Sequence, residues 1–167
     1  MLGEESSSGV HVERRSQSHN LIRDLIHTRT SMLALYSKLA AQKPFTELDD
    51  PVLELLEEFC EVLVDYTAQA HFSLYRFIEE KMEKRKSVLD IADKVYPRIF
   101  DSTQLIVDFN DRYDDFSNTS LVQQLENDLS KLGEVLAERI DLEDQLIAVL
   151  THSRRSNSDE AKTALHS

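Results

Sequence analysis

The chain has 167 residues, of which 41% are hydrophobic, and its formal net charge is −12. This length and composition favour one globular domain with a real core and argue against wholesale disorder. The acidic balance disfavours free DNA or RNA as a partner, because phosphate binding needs clustered Lys and Arg, and it favours a basic protein surface instead.

The small numbers of glycine, proline and cysteine residues further restrict the possible fold and cellular compartment. Only three glycines and three prolines occur, which argues for long helices and leaves no glycine-rich nucleotide-binding loop. The single cysteine, Cys60, forms no internal disulfide, which suits a reducing compartment. No signal peptide is visible, and no stretch of about eighteen residues is continuously apolar. We therefore expect a cytoplasmic protein without a membrane segment.

Two polar tails are predicted to flank one helical domain. Residues 1–17 and 153–167 lack apolar periodicity, so we expect both to be flexible. Residues 18–152 carry apolar side chains at helical spacing and make up the predicted domain. Its first helix is predicted over residues 18–42, with Ile22, Ile26, Leu33, Tyr36 and Ala40 on one stripe.

Three further helices are predicted along the chain. The second has Asp50 as its predicted N-cap and extends to about Arg85. The third begins near Ser87 and contains Pro97, so we expect a kink there, or a short helix followed by a longer one. The fourth opens at Ser120, in a capping-box pattern. The predicted fold is all-α: an antiparallel four-helix bundle with long helices and a Pro-kinked third helix.

Two charged residues lie inside the predicted apolar stripes. These are Arg29 in the first helix and Glu143 in the fourth. Either one alone is costly to bury, whereas together they satisfy each other across the bundle. We therefore predict a structural buried ion pair between Arg29 and Glu143, with a catalytic or ligand-binding role as the alternative.

Metal binding and catalysis find little support in the sequence. Di-iron bundles need Glu-x-x-His pairs, and neither the second nor the fourth predicted helix contains one. His27 and His71 are the only histidines within the predicted core helices, and both flank their stripes. No nucleophile motif is recognisable. We predict no metal ligands, no cofactor and no enzymatic activity, and a hemerythrin-like metal-binding bundle is the first alternative.

An acidic and partly apolar surface is predicted on the second helix. Between Pro44 and Tyr75 the chain has eight acids and no Lys or Arg. Phe72 falls about 160° from the centre of the apolar stripe, where water is expected. An apolar anchor in an acidic field suits a basic, partly apolar partner, and the alternatives are a solvated face or a further segment that covers Phe72. The predicted partner-binding residues are Glu61, Asp65, Ala68, Phe72 and Tyr75.

Four stretches resemble a known family. They are "RTSMLALYSKL", "FCEVLVDYTAQAHFSLY", "VYPRIFDSTQLIVDFNDRYD" and "LSKLGEVLAERIDLEDQLI". In this colinear order, over roughly residues 18–152, they are similar to the Rsd/AlgQ family of bacterial anti-sigma factors. The pattern around "DFNDR" and "VYPRI" looks nearer to the AlgQ branch than to the Rsd branch.

The resemblance implies a specific partner. Family members are helical bundles that bind region 4 of the primary sigma factor and keep it from core RNA polymerase and the −35 promoter element. Region 4 is a helix-turn-helix module whose DNA-facing surface is basic, so an acidic antagonist is chemically sensible. The positions carried over are Asp65, Phe72 and Tyr75, with Arg29 and Glu143 as internal matches.

The implied function is a stoichiometric, non-enzymatic regulator of transcription. We expect a monomer or weak homodimer that makes no direct contact with nucleic acid. The alternative within this class is a regulatory adaptor that binds a different basic partner through the same face.

Overall fold

The protein is all-α, as predicted. The computed structural model describes residues 4–46, 49–76, 78, 86–114 and 121–165, with side chains described between residues 19 and 151 of these ranges. The described residues form four α-helices and no strand. None of these helices is both long and apolar enough to cross a membrane. The elements are α1 (Glu4–Ala40), α2 (Asp50–Gln69), a π-helical segment (Ala70–Tyr75), α3 (Lys86–Tyr113) and α4 (Leu121–Leu165).

The first and last helices extend beyond their predicted ends. Helix α1 begins at Glu4 rather than near Ser18, and α4 continues to Leu165. Neither added segment contains proline, and each residue that joins an existing helix adds one backbone hydrogen bond. The predicted end of the second helix at Arg85 and the predicted cap at Ser120 lie outside the described residues.

The chain divides into two compact units. Helices α1 and α2 and the π-helical segment belong to the first unit, and α3 and most of α4 belong to the second. In the first unit, Leu25, Met32 and Leu39 lie seven residues apart on α1 and are fully buried. The rings of Tyr36 on α1 and Phe59 on α2 lie 5.9 Å apart between centroids. Burial raises the pKa of the Tyr36 phenol above its usual value.

Helix α2 starts one residue earlier than predicted. Asp49 has an extended backbone, and its Oδ1 accepts a hydrogen bond of 3.1 Å from the backbone N–H of Val52. Asp49 is therefore the N-cap, and the prediction that Asp50 has this role is wrong. Asp50 is the first helical residue, followed by Pro51, whose missing N–H is tolerated in the first turn.

Helices α3 and α4 run antiparallel within the second unit. Arg98 pairs with Glu138, and Arg112 pairs with Asp128 at 2.8 Å, so the partner's number falls as the number along α3 rises. Asp128 also accepts a hydrogen bond of 2.6 Å from the Tyr113 hydroxyl. The hydrogen bond and charge of Asp128 raise the pKa of Arg112. An antiparallel order for all four helices stays a prediction.

Pro97 lies inside helix α3. The helix continues through it from Lys86 to Tyr113, so the alternative of two separate helices is wrong. Pro97 is exposed, and so is Asp93, the residue whose carbonyl loses a backbone partner to the proline. The predicted kink at this position stays a prediction.

We predict that Asp49→Ala lowers the free energy of unfolding by about 1 kcal/mol, because the Val52 N–H loses its acceptor. Asp50→Ala is the matched control, since it removes the same carboxylate one residue later and leaves the cap in place. Urea unfolding followed by circular dichroism measures both. A larger loss for Asp50→Ala than for Asp49→Ala would contradict this assignment of the cap.

Candidate partner-binding surface

The rotation of helix α2 is fixed by one buried stripe. Its members are apolar or aromatic and recur at helical spacing: Val52, Leu56, Phe59, Leu63 and Tyr66. All but Val52 have no exposed surface, and burial of each large side chain stabilises the fold by about 1.5–3 kcal/mol. Because these residues hold one face of the helix inside, the opposite face is presented to water.

An acidic ridge follows this outer face. Glu57, Glu61 and Asp65 lie four residues apart, so they stack along the helix surface, and all three are exposed. The other described acids of the segment, Asp49, Asp50, Glu54 and Glu58, are exposed as well, and Glu47 lies outside the described residues. The charge is therefore displayed and not neutralised within α2, which contains no Lys or Arg.

An apolar ridge runs beside the acidic one. Val64, Ala68 and Phe72 are also four residues apart; Val64 lies three residues beyond Glu61, and Ala68 and Phe72 lie three and seven residues beyond Asp65. Val64 is 49% exposed and Phe72 is 62% exposed, which is unusual for side chains of this size. Val64 was not predicted, although its spacing from Ala68 and Phe72 is the signal that identifies it.

The outermost aromatic ring is carried by the π-helical segment Ala70–Tyr75. The backbone N–H of Arg76 donates to the carbonyl of His71, five residues earlier, as a π-helical turn requires. The ring of His71 meets the ring of Phe72 edge to face, at 5.0 Å between centroids. Phe72 remains largely exposed despite this contact. Short π-helical turns are frequent at functional sites.

Tyr75 does not lie on this surface. It is only 6% exposed and belongs to the core, together with Leu74 and Ile78. A π-helical turn holds one more residue than an α-helical turn, so it sets the following side chains back by about 100°. The sequence prediction assumed an unbroken α-helix, in which Tyr75 borders Phe72. Its ring now supports the π-helical segment from inside.

The arrangement is suited to binding and offers little for catalysis. We define the α2 surface as Glu57, Glu61, Val64, Asp65, Ala68 and Phe72. It is convex and consists of carboxylates and apolar groups only. The two histidines considered as ligands, His27 and His71, are exposed, and within the described residues no three His, Cys, Asp or Glu side chains gather into a potential metal site.

Glu143 is fully buried, and its observed partner is an arginine that was not predicted. Arg139, on the preceding turn of α4, has no exposed surface and donates from Nε to Glu143 Oε1 at 3.1 Å. Arg139 Nη1 also donates to the hydroxyl of Ser102 at 3.0 Å and to that of Thr103 at 2.7 Å. One buried guanidinium thus joins α3 to α4 inside the second unit.

Arg29 is half-buried on α1, in the other unit. A pair between Arg29 and Glu143 therefore stays a prediction. Ile140 and Ile147, which lie at helical spacing on either side of Glu143, are only half-buried, and Arg139 was missed because a charged side chain is not expected on a buried stripe. The buried stripe passes instead through Leu136, Arg139, Leu142, Glu143 and Leu146.

Comparison with known proteins gives one consistent result. Residues 6–151 match the family described as "Regulator of RNA polymerase sigma(70) subunit, Rsd/AlgQ". The "Regulator of sigma D" of Yersinia enterocolitica is 38% identical over 142 residues, covering 81% of this chain and 83% of the relative. The protein of the same description from an Enterobacter strain is 34% identical over 157 residues, covering 91% and 93%. No solved structure gives a significant match.

We predict that Arg139→Leu lowers the free energy of unfolding by about 3–5 kcal/mol, because the buried charge of Glu143 loses the ion pair with the Arg139 guanidinium. Arg98→Leu is the matched control, since Arg98 also joins α3 to α4 but its pair with Glu138 is exposed, and such pairs contribute about 0–1 kcal/mol.

Chemical denaturation of the two variants gives the comparison, and the double variant Arg139→Leu/Glu143→Leu should recover part of the loss. If Arg139→Leu were no more damaging than Arg98→Leu, the buried pair would have no special structural role.

Proposed function

This chain belongs to the Rsd/AlgQ family, and from that premise we propose that it is an anti-sigma factor that binds region 4 of the primary sigma factor. Binding keeps region 4 from core RNA polymerase and from the −35 promoter element, by occupying its surface and without catalysis. The observation that carries this proposal is the α2 surface, where exposed apolar groups and acids lie in adjacent rows. A nearer relation to the AlgQ branch stays a prediction.

The apolar ridge supplies the anchor of the proposed contact. Phe72 is more exposed than Val64, and its ring contacts the ring of His71. A rigid aromatic group loses little conformational freedom on binding, which is why aromatic residues dominate the energetics of protein interfaces. We expect Phe72 to enter an apolar site of the sigma factor, with Val64 and Ala68 packing beside it.

The acidic ridge supplies the charge complement. A helix-turn-helix module that binds DNA presents Lys and Arg side chains to the phosphates. We expect these cations to pair with Glu57, Glu61 and Asp65. The net charge of −12 extends the same attraction over a longer range and speeds encounter. Binding of the protein and binding of promoter DNA would then be mutually exclusive, because both use the same cations.

We predict that Phe72→Ala weakens binding to isolated region 4 by about 2 kcal/mol, or about thirtyfold in Kd, because a central apolar anchor is removed. Calorimetric titration of the full chain measures the change and the stoichiometry, which should be one to one. The fold should be unaffected, since Phe72 is exposed.

Leu105→Ala is the matched control for this experiment. Leu105 is 52% exposed on α3, so its truncation removes a similar exposed apolar group outside the α2 surface. Equal affinities for the two variants would remove Phe72 from the interface. Absence of binding by the unaltered chain to well-folded region 4 would favour the adaptor alternative.

The charged half of the proposal predicts a dependence on salt. Affinity for region 4 should fall as ionic strength rises, because the exposed charges are screened. The triple variant Glu57→Gln/Glu61→Gln/Asp65→Asn should bind more weakly at low salt and show a shallower dependence on salt. Glu126→Gln/Glu134→Gln/Asp141→Asn on α4 makes the same change in net charge outside the α2 surface. If this control lost as much affinity and slope, the attraction would come from net charge and not from the acidic ridge.

A further inference from the structure

A second exposed apolar patch lies on helix α3. Phe100 is 72% exposed, and Val107 and Leu89 are 41% and 40% exposed, while the buried face of the helix lies about 115° around its axis from them. Phe100 and Val107 are seven residues apart and Leu89 is eleven residues before Phe100, so all three point within about 20° of one another. The proposed binding of region 4 through the α2 surface makes no use of these residues.

The spacing of this patch fits a helical partner. Two apolar side chains seven residues apart form a straight seam along a helix, and a second helix packs onto such a seam at a shallow angle. Tyr96 and Thr103 are half-buried and lie on the helix surface between the patch and the core. They therefore border the apolar seam on the side that faces the core. An extended peptide would match this surface less well, since α-helices leave no backbone groups free for pairing along their sides.

The acidic residues beside the seam indicate that its partner carries positive charge. Asp93 lies seven residues before Phe100 and Asp111 lies four residues after Val107, and both are exposed on the same side of the helix. Arg98 points about 160° and Arg112 about 120° away from Phe100 around the helix axis, and they are paired with Glu138 and Asp128 on α4.

The other two basic residues of α3 also lie away from the centre of the seam, so they do not neutralise its carboxylates. Lys94 lies about 120° around the helix from Phe100, and Lys86 is about 20 Å from Phe100 along the helix axis. Cations of α3 therefore lie away from the centre of the seam, and carboxylates flank it.

We propose that Leu89, Asp93, Phe100, Val107 and Asp111 form a second docking surface, the α3 patch, which binds a basic amphipathic helix of another protein. Apolar residues of that helix pack on Phe100 and Val107, and its Lys or Arg residues face Asp93 and Asp111. This surface lies within the second unit, and it shares no residue with the α2 surface, which belongs to the first unit. It gives the protein the means to bind a partner helix in addition to region 4.

Other occupants fit this chemistry less well. A second copy of the chain, packed patch on patch, would bring Asp93 and Asp111 toward their own symmetry mates at a net charge of −12 per chain. An anionic membrane or a nucleic acid would meet the same repulsion. A basic helix meets both requirements, apolar contact and opposite charge.

The test uses an 18-residue helical peptide of leucine and lysine, labelled with fluorescein, with its leucines on one face. The full chain carries Phe72→Ala throughout, so that the α2 surface contributes little. We expect saturable binding at low salt by fluorescence anisotropy, weakened at least about tenfold by adding Phe100→Ala and changed less than about twofold by adding Leu105→Ala. Leu105 is the matched control because it is an exposed apolar residue on another side of α3.

Charge is tested in the same assay. Adding Asp93→Asn/Asp111→Asn should weaken binding and reduce its dependence on salt, and a peptide with glutamate in place of lysine should not bind. The proposal is overturned if Phe100→Ala and Leu105→Ala have equal effects, or if the glutamate peptide binds as tightly. It is also overturned if sedimentation shows a dimer that Phe100→Ala dissociates and the lysine peptide does not disrupt, because the occupant is then a second copy.

Discussion

The burial of one stripe on helix α2 determines which side chains the protein offers to a partner. Leu56, Phe59, Leu63 and Tyr66 have no exposed surface, and a helix held at these points has no freedom to rotate about its axis. Glu57, Glu61 and Asp65 must then face water, and so must Val64 and Ala68. Presentation of the α2 surface is thus a consequence of core packing, so variants that loosen the stripe should disturb binding even though they never touch the partner.

The π-helical segment modifies this arrangement at its end. An uninterrupted α-helix would turn Tyr75 outward, about 140° from the centre of the buried stripe. The wider turn sets Tyr75 back into the core, while Phe72, at the middle of the segment, stays outside. One local change in helical pitch therefore separates two aromatic residues that are three positions apart. It places one beneath the surface as support and one on it as the anchor.

Some of these features can be predicted from the sequence, and others cannot. The periodicity of α2 and the exposure of Phe72 follow from a rotation of about 100° per residue, and both are found in the structure. The burial of Tyr75 was missed because no residue type marks a π-helical turn in advance. Arg139 was missed because its position in the sequence fits the buried leucine stripe and the exposed border of that stripe equally well, and an arginine is expected at the border. Its burial is compensated by the carboxylate of Glu143 on the same helix and by the hydroxyls of Ser102 and Thr103, which another helix supplies.

The same chemistry suits a regulator that must release its partner. Large apolar interfaces are slow to dissociate, whereas an interface with one or two exposed aromatic anchors and a charged border binds through fast encounter and moderate contact. The exposed apolar side chains of the α2 surface and the α3 patch are set among carboxylates, and a net charge of −12 disfavours contact between copies of the protein while it favours a basic partner. An acidic border therefore does two things at once. In the proposed complexes it disfavours contact between copies through Phe72 and Phe100, and it favours binding of both rings to proteins whose own surfaces are basic.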